Sequence, residues 1–276
     1  MLEFQIFRLK IFPSRQRNLF EEDLERTQIL SSVIKSLPEV ELKEGSIWHI
    51  GDIIDIEEGS LYFRLGRTTS STYEMYKDGH FLDESFEVTP YTHVLIDINL
   101  EFTAIAKKPR LSPNSKGIAN ALTRLLNESK EGIRLNATFE ISEISDPEKF
   151  IEYLNSAYSV QKFWISFSRP NPIDVNRDYI QPMQNLLKES NGDEGKTEIK
   201  GTVLRPEILQ EVARSAAVTG DNAGATMIID QKGQKITKTL RENPIIIMQE
   251  EVDKLEDKML LLQKMRNIYE KIRGRD

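Results

Sequence analysis

Short apolar runs with the alternation of β-strands and longer segments with the periodicity of helices follow each other along the chain. Strand-like runs occupy residues 2–11, 47–56 and 94–98, and each stops close to a Pro, Gly or Asn. Residues 115–127 and 206–218 instead carry apolar side chains every three or four positions, as helices do. Because strands joined by short turns pair as antiparallel hairpins, this order predicts an α+β fold with antiparallel-rich sheets.

The order of strands and helices recurs roughly in two halves, and 276 residues are enough for two small domains. We therefore predict an N-terminal α+β domain at residues 1–131 and a second α+β domain at 132–244. Residues 245–276 are predicted to form an amphipathic C-terminal helix. In finer detail, the sequence predicts a helix N-cap at Asn18, a loop at 66–71, a strand at 134–141, a strand stop at 170–172, a helix at 176–187 and a mobile polar loop at 189–196.

The C-terminal segment repeats apolar residues at spacings of four and three, as the core positions of a heptad do. The repeat consists of Met248, Val252, Leu255, Met259 and Leu262, and an adjoining stripe consists of Leu261, Met265, Ile268 and Ile272. We predict that Val252, Leu255, Met259 and Leu262 are buried. The sequence leaves two ways of burying these side chains: the helix docks on its own domain, or it dimerises with a second copy as a coiled coil.

The chain contains no cysteine, which excludes disulfides, thiolate nucleophiles and cysteine-ligated zinc. No apolar run approaches the ~20 residues that span a bilayer. The first residues include the charges of Glu3, Arg8 and Lys10 and lack a small-residue cleavage site, so they do not read as a signal peptide. We expect a cytoplasmic protein that does not associate with membranes.

Charge is distributed unevenly, within a formal net charge of −7. Residues 21–60 hold eleven acidic against three basic side chains, whereas residues 103–134 hold seven basic against two acidic ones. Such segregation indicates a surface for an anionic partner.

The densest basic stretch is the loop at residues 106–116, which carries Lys107, Lys108, Arg110 and Lys116. Two prolines are expected to hold this loop extended. The N–H groups of the helix that begins at Ser115 suit a phosphate. A second basic run on a predicted hairpin contains Lys232, Lys235 and Lys238. We predict that both runs bind the backbone of DNA or RNA without sequence preference, the alternative being ordinary solvated surface.

Catalytic patterns are weak. The three histidines, His49, His80 and His93, lack the spacing of metal ligands. His93 and Asp97 share one face of a predicted strand, which permits an acid–base pair but supplies no third catalytic group.

Asp97, Glu101 and Lys107 follow the order of a metal-dependent nuclease site, but the lysine is too far from the glutamate. Residues 66–71 and 220–224 do not match phosphate-binding loops. We therefore predict no catalytic residues, no metal site and no cofactor, and the sequence favours a protein that is not an enzyme without deciding the point.

Two stretches resemble poorly characterised bacterial and prophage proteins: residues 92–126 (THVLIDINLEFTAIAKKPRLSPNSKGIANALTRLL) and residues 160–171 (VQKFWISFSRPN). The nearest named relatives by this resemblance are RexA-type phage-exclusion proteins and the DNA-binding subunit of the Kiwa defence system, with the ring-forming DNA-binding protein RdgC more distantly similar. The resemblance implies a two-part α+β chain that dimerises and holds DNA non-specifically.

The leading hypothesis is accordingly a non-enzymatic nucleic-acid-binding homodimer of phage exclusion or antiviral defence. One alternative is a scaffold subunit that joins a partner protein through its C-terminal helix. Another is a nuclease or nucleotide-using effector with an unrecognised site.

Overall fold

The computed structural model describes residues 1–12, 24–168, 180–192 and 194–273. The helices are α1 (Arg26–Lys35), α2 (Ser115–Glu128), α3 (Lys130–Arg134), α4 (Glu148–Ser156), α5 (Ile180–Glu189), α6 (Pro206–Thr219) and α7 (Leu255–Arg273). The strands are β1 (Leu2–Phe12), β2 (Glu39–Lys43), β3 (Ser46–Glu57), β4 (Ser60–Lys77), β5 (His80–Val88), β6 (Tyr91–Asp97), β7 (Phe102–Ala106), β8 (Thr138–Glu143), β9 (Ser159–Ser168), β10 (Glu194–Leu204), β11 (Asn222–Ile228), β12 (Lys235–Thr239) and β13 (Ile246–Gln249). The predicted α+β class with antiparallel sheets is confirmed.

The chain divides into two compact units. Unit 1 comprises Met1–Gln5, Leu9–Ile141 and Met248–Leu262. Unit 2 comprises Ile6–Arg8, Ser142–Ile247 and Gln263–Asp276. Each unit therefore combines segments that are distant in sequence.

Unit 1 is built on a sheet in which the strands follow the order β1-β7-β6-β4-β3-β2, with β5 paired to β4. β6 and β7 form an antiparallel hairpin, and every residue of β7 is buried. Helix α2 lies against β2, β3 and β7 and buries an apolar face that includes Ile118, Leu122 and Leu125. The predicted helix at residues 115–127 is confirmed, because its apolar spacing matches one covered face.

Unit 2 contains a four-stranded antiparallel sheet in the order β10-β9-β11-β12. Helix α6 packs on β9 and β11 and ends at Gly220, whose left-handed conformation (φ 73°) closes the helix as the sequence predicts. Helix α5 covers β9 and β10.

Several local predictions are wrong. Residues 66–71 lie inside β4 rather than in a loop. The predicted strand at 134–141 begins only at Thr138, because Ser129 caps the short helix α3 and Asn136 turns the chain with a positive φ of 47°. Strands β5 and β10 have no counterpart in the prediction, and β10 begins inside the loop predicted at 189–196.

The C-terminal segment is not one helix over residues 245–276. Ile246–Gln249 form β13, and α7 begins at Leu255. Among the described residues, no helix combines the length and the hydropathy that a bilayer crossing requires. The predicted cap at Asn18, the strand stop at 170–172 and the start of the helix predicted at 176–187 lie outside the described residues.

Candidate nucleic-acid interface

The basic loop connects β7 to α2 at one end of the unit 1 sheet, and Lys107, Lys108, Arg110 and Lys116 are all exposed. It is not extended as predicted. The amides of Leu111 and Ser112 both donate to the carbonyl of Lys108, at 2.8 and 3.2 Å, and the Leu111 side chain is buried. The loop is therefore a compact turn held by an apolar anchor, which fixes the backbone from which its basic side chains project.

The helix that follows begins at Ser115, as predicted. Its N-terminus is already capped, because the Asn114 side chain accepts a hydrogen bond of 2.8 Å from the amide of Gly117. One of the N–H groups assigned to a phosphate is thus occupied. The basic side chains, rather than the helix end, are therefore the candidate phosphate-binding groups of this loop.

Two arginines and a tyrosine from the neighbouring strands complete the basic end of the sheet. Arg67 of β4 donates from Nη2 to the carbonyl of Arg110 at 3.0 Å. The guanidinium of Arg64 lies 4.7 Å from the ring centroid of Tyr91, and Lys108 Nζ lies 6.0 Å from the same centroid. We call Arg64, Arg67, Tyr91, Lys107, Lys108 and Arg110 the cationic–aromatic surface.

Strand register explains how these residues meet. Arg64 is paired with His93 and Gly66 with Tyr91 across the antiparallel pair β4 and β6, so Arg64, Tyr91 and His93 share one face. Arg67 is three residues from Arg64, so its side chain leaves the opposite face of β4, where its guanidinium lies 5.8 Å from the Trp48 ring centroid. It joins the basic loop through the carbonyl of Arg110 at the end of the sheet. The sequence analysis missed Arg64 and Tyr91 because their proximity depends on this register.

Part of the positive charge is neutralised within the chain. Lys107 Nζ lies 3.5 Å from Glu3 Oε1, and Arg64 Nη1 lies 2.9 Å from Asp52 Oδ2. Asp52 belongs to the acidic stretch 21–60, so that stretch does not face wholly away from the surface. Lys108 and Arg110 form no ion pair with a described residue and therefore carry most of its free charge.

A part-buried polar pair lies beside the cationic–aromatic surface. Tyr62 Oη and His93 Nδ1 are 2.7 Å apart, and the Lys258 ammonium lies 4.6 Å from the Tyr62 ring centroid. Lys258 Nζ donates to the carbonyls of Asp253 and Lys254. The guanidinium of Arg64 lies beside this pair, and its charge acts on both groups.

Burial and then the charge of Arg64 lower the pKa of His93 from its ordinary value of 6.5 to about 4. Burial also raises the pKa of Tyr62 and lowers that of Lys258. At neutral pH the pair is therefore an uncharged phenol bonded to an uncharged imidazole.

The possible acid–base pair of His93 and Asp97 is not formed. Four residues of strand separate them by about 13 Å. Asp97 is buried and accepts a hydrogen bond from the amide of Leu100 at 3.1 Å. Glu101 pairs with Arg26, and among the described residues no cluster of His, Asp and Glu could hold a metal ion.

The neutral state of His93 makes folding sensitive to acid. Between its unfolded pKa of 6.5 and its folded value of about 4, the unfolded chain binds a proton that the folded chain does not. Stability contributed by this site is complete above pH 6.5 and is lost as the pH falls towards 4. We expect His93→Gln, which keeps an acceptor for Tyr62 and cannot be protonated, to reduce the loss of stability between about pH 7 and about pH 5.

The measurement is urea unfolding of both proteins at both pH values. His49 and His80 are unchanged in the variant and cancel in the comparison. An equal loss of stability in the two proteins would contradict the assignment to His93.

The second basic run does not form one patch. Lys235 and Lys238 are three residues apart on β12, so their side chains leave opposite faces of the strand. Lys238 pairs with Glu242 at 3.0 Å and lies 5.1 Å from the ring centroid of Tyr153. Lys232 is exposed in the turn before β12.

The residues predicted for oligomerisation are also divided. Val252 and Leu262 are buried within the chain, whereas Leu255 and Met259 are 45% and 48% exposed. The expectation that all four are buried does not hold within one chain. The buried side chains of α7 are those of Lys258, Leu261, Leu262, Met265, Tyr269 and Ile272.

Comparison with known families assigns the chain on the basis of most of its length. Residues 23–268 match the family described as a domain of unknown function, DUF4747. The chain belongs to this family. No curated protein matches it. The matched residues include most of unit 1 and of unit 2 and the whole cationic–aromatic surface. The description of the family assigns no activity to either unit.

Proposed function

We propose that this chain is a non-enzymatic nucleic-acid-binding protein that holds the phosphate backbone on the cationic–aromatic surface. The observation that carries the proposal is the hydrogen bond from Arg67 to the carbonyl of Arg110. This contact joins the basic loop to the strands, so that cations from two separate parts of the sequence meet at one end of the sheet.

The chemistry of the surface suits a phosphate chain. Lys108 and Arg110 are exposed and unpaired among the described residues, and arginine binds phosphate oxygens with two parallel hydrogen bonds. Tyr91 is 42% exposed and backed by Arg64, which suits contact with a base or a sugar next to the phosphates. Contacts from these cations to phosphate oxygens carry no sequence information, which favours binding without sequence preference.

The acidic net charge supports a confined interface rather than a uniformly basic coat. Phosphate must displace Glu3 from Lys107 and Asp52 from Arg64, and both pairs are exposed enough to exchange. Lys108 and Arg110 have no ion pair with a described residue to break, so we expect phosphate to bind these two side chains first.

A salt titration of the wild-type chain tests the proposal. We expect fluorescence anisotropy of labelled duplex and single-stranded oligonucleotides to show binding at low salt, with affinity falling linearly on a log–log plot. Oligonucleotides of unrelated sequence should give similar curves. Absence of binding to both forms at the lowest salt would overturn the proposal.

The biological setting that we propose is phage exclusion or antiviral defence in the cytoplasm. It is supported by the resemblance of residues 92–126 and 160–171 to phage-exclusion and defence proteins. Plating efficiency of a phage panel on cells that express the chain tests it. Equal plating with and without the chain for every phage would count against this role.

A further inference from the structure

A long hairpin projects from the unit 1 sheet next to the cationic–aromatic surface. β4 pairs with β6 only as far as Gly66 and with β3 only as far as Thr69, but it pairs with β5 from Thr69 to Lys77. Residues 70–88, which we call the hairpin arm, are thus a two-stranded ribbon. No other described strand pairs with the ribbon, which extends about 26 Å at ~3.3 Å per residue.

The hairpin arm exposes large apolar side chains on both faces. Tyr73, Met75, Leu82 and Phe86 share one face, and Tyr76 and Phe81 lie on the other. Phe81 is 85% exposed and Tyr76 is 66% exposed. Isolated two-stranded hairpins are only marginally stable in water, and clustered exposed aromatics mark interaction surfaces. The hairpin arm therefore requires a partner more than any other described part of unit 1.

Charge restricts the chemistry of this partner. The hairpin arm contains five acidic residues, Glu74, Asp78, Asp83, Glu84 and Glu87, against the single base Lys77. A net charge of −4 from these residues repels nucleic acid and anionic lipid and attracts a cationic protein surface. The same chain carries such a surface at the base of the hairpin arm, because Arg67 is two residues before Thr69 and contacts Arg110.

We propose that the hairpin arm docks on the cationic–aromatic surface of a second copy of this chain in a reciprocal, two-fold exchange. Two antiparallel arms related by a two-fold axis place the acidic tip of each arm beside the cationic–aromatic surface of the other chain. The face of Tyr76 and Phe81 is then buried between the arms. By strand alternation this face also carries Glu74 and Asp83, and it is the face of β4 from which Arg64 projects. A second copy is the occupant that we favour because one chain supplies both complementary surfaces, about one arm length apart.

The exchange does not depend on the proposed function. Where both hold, nucleic acid and the second copy compete for Lys108 and Arg110, so the dimer is a closed form and the monomer binds nucleic acid.

A charge exchange in the full-length chain tests the dimer. The arm variant carries Glu74→Lys, Asp78→Lys and Asp83→Lys, and the loop variant carries Lys107→Glu, Lys108→Glu and Arg110→Glu. Sedimentation should show a dimeric wild type and two monomeric variants, with dimer dissociation constants raised on the order of a hundredfold or more by like-charge contact. An equimolar mixture of the variants should form a heterodimer, because each arm then meets a loop of opposite charge.

Recovery on mixing also shows that both variants are folded. A wild-type chain that stays monomeric overturns the proposal, as does a mixture that fails to associate when the wild type dimerises. A dimer that survives both variants but is abolished by Leu255→Glu with Met259→Glu overturns it in favour of the C-terminal helix.

Discussion

Deleting residues 246–276 is expected to abolish cooperative folding of the chain. Leu261, Leu262, Met265, Tyr269 and Ile272 of α7 are each at most 5% exposed. Burying a large apolar side chain contributes about 1.5–3 kcal/mol, so the five together contribute roughly 8–15 kcal/mol. Because whole domains are stable by only about 5–15 kcal/mol, the remaining chain should not hold its fold. Circular dichroism during urea unfolding measures this.

The matched control changes the same helix on its solvent side. Leu255→Glu with Met259→Glu alters two side chains that are about half exposed, and surface changes of this kind usually stay within about 0.5 kcal/mol each. A truncated chain that keeps a cooperative transition would contradict the prediction. The control variant also tests oligomerisation through the helix more cleanly than truncation, because it leaves the buried face intact.

The buried face of α7 shows why sequence periodicity alone did not predict the structure of the C-terminal segment. The heptad pattern placed Met248 and Val252 on the same helix as Leu255, but β13 and the following turn interrupt it. A heptad repeat predicts one continuous face only if the chain is helical throughout. Within α7 the chain buries Leu261, Met265 and Ile272 of the adjoining stripe together with Leu262 of the heptad repeat, and Ile268 of the stripe is only partly buried.

The sequence predicted those elements whose ends are marked by Pro, Gly or a turn, or whose side chains are mostly buried. α6 begins at Pro206 and ends at Gly220, and β6 and β7 are short apolar runs around a turn, so local chemistry defines both. β5 and β10 were missed because most of their side chains are exposed and no apolar alternation remains. A strand at the edge of a sheet or in a two-stranded ribbon is stabilised mainly by backbone hydrogen bonds. These bonds impose little pattern on the side chains.

The candidate interface was predictable only in its loop. Lys107, Lys108, Arg110 and Lys116 are dense in sequence, whereas Arg64 and Tyr91 are 27 positions apart and meet through the register of β4 and β6. The second basic run shows the converse. Lys235 and Lys238 are close in sequence, but strand geometry directs them to opposite faces.

Replacing Lys107, Lys108, Arg110 and Lys116 together with Ala is expected to remove most nucleic-acid affinity at moderate salt. Each phosphate neutralised on duplex DNA contributes a slope of about −0.9 on the log–log salt plot, so four contacts contribute up to about 3.6. The ion pair of Lys107 with Glu3 reduces the share of Lys107, and we expect the slope to flatten by about 2 to 3. Anisotropy titrations over a salt series measure this, and all sequences should weaken alike.

The matched control variant removes four positive charges from residues outside the cationic–aromatic surface. Lys43, Lys149, Lys188 and Lys271 are exposed and lie outside the cationic–aromatic surface, so their joint replacement with Ala should leave the slope almost unchanged. Replacing Lys232, Lys235 and Lys238 should likewise have little effect, because these side chains share no face. Equal weakening by the loop and control variants would show that binding follows net charge alone. In that case the arrangement of Arg64, Arg67 and Tyr91 around the basic loop would not define an interface.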